Sequence, residues 1–313
     1  VATGTCKFFL SCAKLINVTI LNLDNISKAY GKVKALKEVS FNIPAGSVFG
    51  ILGPNGSGKT TLLSIILDIL KADNGSYSWF GQSFSHDHRK QIGSLLETPN
   101  FYHYLNGVNN LKITHSISGR GNDAGIEDVL KKVNLYERRK SRFSTYSLGM
   151  KQRLAIAAAL LGEPKVLVLD EPTNGLDPVG IAEIRELIKL LNKQGHTIIM
   201  ASHLLDEVEK ICTHVAILKL GNVLTHGAVD EVLVDEDIIE VSSLNMEGLY
   251  EVLKKYPADN LRREDHTFQL FFKKGTAQPA DINQFCFDNG IILTQLALKK
   301  KRLETKFFEL TNN

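Results

Sequence analysis

The run Gly53-Pro54-Asn55-Gly56-Ser57-Gly58-Lys59-Thr60-Thr61 has the residue types and the spacing to bind phosphate. It fits G-x-x-x-x-G-K-[ST]. Glycine lacks a Cβ, so Gly53, Gly56 and Gly58 let the backbone curl tightly with its N–H groups pointing at an anion. Lys59 adds a point charge for the β- and γ-phosphates, and the Thr60 hydroxyl fits one position on Mg²⁺. Ser47-Val48-Phe49-Gly50-Ile51-Leu52 before the loop reads as a buried strand, and residues 61–70 after it read as an apolar helix. The loop is thereby set at a helix N-terminus, where the macrodipole favours phosphate. A second carboxylate-bearing motif, Val166-Leu167-Val168-Leu169-Asp170-Glu171, is an apolar strand that ends in two acids. Asp170 suits Mg²⁺ through water, and Glu171, one residue on, suits polarising an attacking water.

Elements must hold these groups in place. Four short runs are continuously apolar, at 48–52, 166–169, 197–200 and 215–218. Such runs predict strands buried on both faces, as in a parallel sheet under helices. Helical patterns at 180–192 and 204–212 lie between them. The alternation predicts an α/β fold with nucleotide at the carboxyl ends of the strands. Residues 18–23 read as a first strand, and Val39, Phe41 and Ile43 alternate with polar residues as in a half-exposed antiparallel strand. From about 98 to 164 helical patterns replace strands, with Gly119-Arg120-Gly121-Asn122-Asp123 as a loop inside this insert. A further shift near Asp235 opens a small α/β appendix: strands at 238–241, 267–272 and 291–298, helices at 246–256 and 280–288. The expected division is an extension at 1–17 (disordered, or an early-called start), a nucleotide-binding domain at 18–236 and an accessory α/β domain at 237–313.

Composition narrows the function classes. The net charge is +3 and the charged fraction 23%, which does not form the strong basic stripe of a nucleic-acid binder. Cys6, Cys12, Cys212 and Cys286 form no C-x-x-C pair, so neither a disulfide framework nor a zinc site is indicated. No stretch approaches the ~20 apolar residues of a transmembrane helix. His86-Asp87-His88 reads as a solvated loop rather than a metal pair.

Further motifs select among nucleotide hydrolases. Tyr146-Ser147-Leu148-Gly149-Met150-Lys151-Gln152-Arg153 precedes the acidic strand; Gly175-Leu176-Asp177-Pro178 and Ala201-Ser202-His203 follow it. In this order, over roughly residues 18–235, the motifs resemble the ATP-binding subunit of ABC transporters. The resemblance implies a P-loop NTPase core with a parallel sheet, an antiparallel β subdomain and a helical insert. It implies ATP and Mg²⁺ held between two such subunits facing head to tail, the phosphate loop of one against the Ser147–Gly149 segment of the other. It also implies that Tyr30 stacks on adenine, that Asp177 connects the two sites, and that His203 bonds the γ-phosphate and aligns Glu171 with water. The nucleotide set is then Tyr30, residues 53–61, Glu97, Ser147, Gly149 and Asp177. Glu171, His203 and Lys59 are catalytic, and Thr60, Glu97 and Asp170 bind metal.

Two departures mark a subfamily. The usual LSGGQ reads Tyr146-Ser147-Leu148-Gly149-Met150, and Glu97 stands where glutamine is usual. With Phe101-Tyr102-His103-Tyr104-Leu105 following, they resemble bacitracin- and lantibiotic-type export ATPases. That implies a homodimeric ATPase on the inner face of the cell membrane, docked on a separate polytopic permease, that exports an antimicrobial peptide or other amphipathic compound. Phe101, Tyr102, Tyr104 and Leu105 either line the groove for the permease or pack inside the insert. The rival readings are an importer ATPase, a non-transport member acting on ribosome or DNA, and a GTPase or kinase. The two-cassette arrangement, long coiled coils and zinc spacing that would mark ribosome or DNA members are missing.

Overall fold

A computed structural model describes residues 18–83, 85, 87–96, 100–233, 236–273, 275–299 and 307. The expected extension at 1–17, and Glu97 with its two successors, lie outside the described residues. The chain divides into two compact units between His226 and Gly227.

The first unit holds two sheets. β1 (Thr19–Tyr30) pairs antiparallel with β2 (Val33–Pro44) and with β4 (Asn74–Trp79), and β5 (Gln82–Ser83) closes the order β2-β1-β4-β5. β1 runs well past the strand expected at 18–23. Its register shifts between Leu23 and Ile26, where Asn25 takes positive φ, so the strand bulges instead of ending. Val39, Phe41 and Ile43 turn inward as their alternation predicts.

The second sheet carries the chemistry. Its order is β10-β9-β3-β8-β7-β6, with β3 (Val48–Leu52), β6 (Ile92–Leu95), β7 (Val166–Asp170), β8 (Thr197–Ser202), β9 (His214–Lys219) and β10 (Asn222–Ala228). The pairs β9–β3, β3–β8, β8–β7 and β7–β6 are parallel. Every residue of β3, β7 and β8 is buried, which explains their unbroken apolar sequence. Leu52 pairs with Ser202 and Asp170 with Ala201. The strand ends that precede the phosphate loop, Glu171 and His203 therefore lie at one edge.

Helices cover this sheet. α1 (Lys59–Ile66) follows the loop, and short α2 (His88–Gln91) leads into β6. The insert supplies α3 (Gly107–Ser118), α4 (Asp123–Lys132) and α5 (Leu148–Leu160). α6 (Pro178–Lys193) buries Ile184, Leu187, Ile188 and Leu191, the i, i+3, i+4, i+7 face of an amphipathic helix. α7 (Leu205–Ile211) lies directly on β3: a Cβ at Gly50 would come 2.8 Å from Val208 Cγ1 and 3.0 Å from Cys212 Sγ. Gly119 caps α3 in the left-handed region and Asn122 caps α4, so the expected loop is two helix ends back to back.

The second unit begins with α8 (Val229–Leu233) and continues as β11 (Glu236–Ser243), α9 (Met246–Leu253), β12 (Asn260–Glu264), β13 (Thr267–Lys273), α10 (Pro279–Asp288) and β14 (Leu293–Lys299). The order β12-β13-β11-β14 is antiparallel throughout. Ile239, Val241, Phe268 and Leu270 pack with Leu249, Leu253, Ile282 and Cys286 of the two longer helices. β12 is an element the sequence reading did not expect. His88 also departs from expectation: it is buried, and its Nδ1 accepts a hydrogen bond from the Ser85 N–H at 3.0 Å. His86 lies outside the described residues.

Candidate nucleotide and catalytic site

The loop between β3 and α1 is shaped by its glycines. Gly56 and Gly58 take φ of 78° and 105°, a region L side chains rarely enter. A Cβ on Gly58 would also stand 2.5 Å from Ala35 O, and one on Gly53 would collide with Ser57 Oγ and Leu218 O. Lys59 opens α1, buried, with Nζ donating to Gly53 O at 2.7 Å and to Pro54 O at 3.3 Å. Burial lowers its pKa from the ordinary lysine value, and the charges of Glu171 and Asp170 act in the opposite direction. Thr60 Oγ1 donates to Asp170 Oδ2 at 2.8 Å, so the hydroxyl and the carboxylate expected to share a metal are adjacent.

Glu171 stands one residue past β7, in left-handed backbone at φ 47°, with its N–H bonded to Ala201 O at 3.0 Å. Strain of this kind, of order 1–3 kcal/mol, persists where the surroundings over-determine a side chain. One carboxylate oxygen, Oε1, lies 3.8 Å from Lys59 Nζ; the other, Oε2, accepts a 2.9 Å hydrogen bond from His203 Nδ1. Nδ1 therefore carries the proton, and Nε2 is left for another partner. Three expected catalytic groups from three distant segments meet here, as the parallel strand ends require.

A cavity of about 730 Å³ opens over the loop. Tyr30 forms part of its wall with Asn55, Gly56, Gly58, Lys59 and Glu171. Lys32, Lys34 and Lys37 line it too, and sequence reasoning missed them. The signal available was the run Tyr30-Gly31-Lys32-Val33-Lys34 at the hairpin turn. Ser147, Gly149 and Asp177 are not among the lining residues. Ser147 caps α5, its Oγ accepting from Met150 N at 3.3 Å, and a Cβ on Gly149 would meet nothing within 4 Å. Asp177 caps α6 by accepting from Gly180 N at 2.9 Å. Both helix starts place expected nucleotide contacts away from this chain's own cavity.

The two readings of the Phe101 segment divide by residue. Phe101 packs edge-on against Phe143, with centroids 5.2 Å apart. Tyr102 and Tyr104 are exposed, and Tyr102 borders a separate cavity of about 370 Å³ with Asn110, Ile113 and Ile117.

A parallel α/β sheet with a glycine-shaped phosphate loop, an acidic strand end and a histidine facing it defines a P-loop ATPase. The family description "ABC transporter" matches residues 36–174. The bacitracin transport ATP-binding protein BcrA of Enterococcus faecalis is 33% identical over 298 residues, which cover 93% of this chain and 96% of that one. The lantibiotic transport ATP-binding protein SrtF of Streptococcus pyogenes is 39% identical over 211 residues, 67% of this chain and 92% of that one. Among solved structures, a dimeric ATP-binding cassette in a post-hydrolysis state bound to ADP and phosphate aligns with a TM-score of 0.60 at 28% identity, covering 67% of this chain and 99% of that one. The chain belongs to the ABC transporter family and is an ABC ATPase.

Proposed function

We propose that this chain is the ATP-hydrolysing subunit of an export complex, coupling ATP turnover to export of an antimicrobial peptide or related amphipathic compound through a separate membrane subunit. The observation that carries the hydrolytic part is Glu171 held between His203 at 2.9 Å and Lys59 at 3.8 Å on the rim of the cavity. Similarity along nearly the whole bacitracin relative supports the exporter assignment. Similarity to transport ATP-binding proteins supports assigning the transport path to a partner, with this chain peripheral on the cytoplasmic face; no helix among the described residues is long and apolar enough to cross a membrane.

In this reading the first unit, which ends at His226, forms the catalytic domain and the second, from Gly227, an accessory one. Tyr30 and residues 53–61 take the nucleotide, and Lys59 neutralises the β- and γ-phosphates. Glu171 orients the attacking water and draws on its proton. His203 keeps the carboxylate aimed and presents Nε2 to the γ-phosphate. Hard oxygen donors suit Mg²⁺, and the adjacent Thr60 and Asp170 would hold it with Glu97; bound there, it supplies charge neutralisation of the phosphates. Ser147, Gly149 and Asp177, which lie off the chain's own cavity, would serve the site of a second copy in a head-to-tail homodimer. The exposed tyrosines 102 and 104 would face the permease.

The test is recovery of tagged Glu171→Gln protein from detergent-solubilised membranes with ATP and Mg²⁺, followed by mass spectrometry. A polytopic membrane protein is the expected partner. Ribosomal or DNA-repair proteins in its place would overturn the transport assignment.

A further inference from the structure

α7 is a weak element in a demanding place. It has seven residues and no side-chain N-cap, and so short a helix is marginal without tertiary support. His203 stands between β8 and α7: Ser202 before it is fixed in the sheet and accepts a 3.0 Å bond from Leu204 N–H, while its other flank runs straight into the helix. Val208 and Ile211 anchor α7 to the core, but apolar contact is non-directional and does not fix the helix along its axis. A directional tie is present. Glu207, in the first turn of α7 and one turn past His203, accepts two hydrogen bonds from Arg185 Nη1, at 3.1 Å to Oε1 and 3.2 Å to Oε2. The side chains are 22% and 12% exposed, so the pair is better shielded than an ordinary surface bridge. Arg185 lies two turns into α6, the helix that Asp177 caps. Lys210 on α7 approaches Glu207 at 3.6 Å and bonds Asp206, while Glu186 lies 3.9 Å from Arg185 Nε. These flank the pair without replacing its geometry.

We infer that Arg185 and Glu207 are positioning residues for ATP hydrolysis, a tie between α6 and α7 that sets His203 against Glu171. The inference rests on the proposed roles of those two residues. The His203–Glu171 bond is 2.9 Å, and a displacement of α7 by about 1 Å would carry it past the length at which a hydrogen bond survives. Misplacement on that scale costs about 10²-fold in rate. The same line of charges extends to α5 through Arg153 Nη2 and Glu183, 3.7 Å apart. The helices capped by Ser147 and Asp177 and the helix that follows His203 are thus linked side by side.

A double-mutant cycle tests this with the purified full chain, reading steady-state ATPase kinetics and thermal melting for Glu207→Gln, Arg185→Gln, His203→Ala and Glu207→Gln combined with His203→Ala. The expected result is that Glu207→Gln or Arg185→Gln lowers kcat about tenfold or more with KM for ATP within about twofold. In the His203→Ala background Glu207→Gln then has less than about a twofold further effect, because both changes act on one interaction. Wild-type kcat in both single variants, or an equal loss with and without His203, would overturn the inference. Turnover at the wild-type rate by His203→Ala alone would instead refute the catalytic reading. Should Glu207→Gln fail to fold, Glu207→Asp, which keeps the charge and shortens its reach, goes through the same cycle with the same criteria.

Discussion

Replacing Glu171 by Gln changes one atom, keeps the side-chain shape and leaves the backbone at φ 47° no more strained than before. Two effects follow, on different steps. Loss of the proton acceptor costs about 10²–10⁴-fold by the general-base estimate, or about 3–5 kcal/mol of barrier. Loss of the charge acts on Lys59. At 3.8 Å the pair attracts by about 4 kcal/mol at an effective dielectric of about 20; Glu171 is 22% exposed, and solvent screening lowers this. That attraction competes with phosphate for the same ammonium, and the carboxylate itself repels phosphate. The variant is therefore expected to lose turnover by at least about 10²-fold while binding ATP as tightly as the wild type or more so. A coupled ATPase assay measures the first, and titration with a fluorescent ATP analogue the second. Turnover within about tenfold of wild type would refute the role of Glu171. A loss traced entirely to weaker binding would show that its charge helps to hold nucleotide.

Other expectations follow from the same site and from the second unit. Because burial lowers the Lys59 pKa while Glu171 raises it, the neutral amine accumulates at lower pH than for a free lysine. The alkaline limb of mant-ADP binding should fall below the usual lysine range and shift lower still in Glu171→Gln; an unmoved limb would contradict the assignment. Gly58→Ala places a methyl at φ 105° and 2.5 Å from Ala35 O, a strain of about 1–3 kcal/mol that should appear as a lower melting temperature and lost nucleotide binding. Ser147→Ala removes the α5 cap, costing about 1 kcal/mol of stability. It should also slow turnover by about 10²-fold if Ser147 serves the partner's phosphate, whereas a change in melting alone would leave it only a cap. Phe268→Ala empties a fully buried position stacked on Tyr250 at 5.4 Å, and calorimetry should show the second unit weakened by about 3–5 kcal/mol.

The sheet was legible where burial on both faces demanded unbroken apolar runs, as in β3, β7, β8 and β9. It was illegible at β6, because Ile92-Gly93-Ser94-Leu95 is short and contains a glycine. That glycine has a tertiary cause: a Cβ at position 93 would collide with Ala159 O, a contact invisible along the chain. β12 was missed for the opposite reason, since an edge strand reading Asn-Leu-Arg-Arg-Glu is almost entirely exposed. The phosphate loop and the acidic strand end were readable because their chemistry is contiguous. Lys32, Lys34 and Lys37 come to the cavity on the hairpin between β1 and β2. Arg120, whose Nη1 donates to Ile92 O at 2.9 Å and Ala159 O at 3.4 Å, ties the insert to β6 and α5. The first leaves only the short Tyr30–Lys34 run as a local signal, and the second leaves none.

Gly50 sits mid-strand and touches no catalytic group, yet its missing side chain is what allows α7 to rest on β3, the strand that delivers the phosphate loop. A methyl there would press on Val208 of α7 and on Cys212 just past it, and a bulky side chain would wedge the helix outward, away from the strand that His203 follows. A saturation library scored for ATP turnover should accordingly favour glycine at position 50, with alanine impaired and larger residues lost. The mutational tolerance map of this enzyme would then show a sharply restricted site in the middle of an ordinary hydrophobic strand, set by the thickness of a wall that two halves of the active site share.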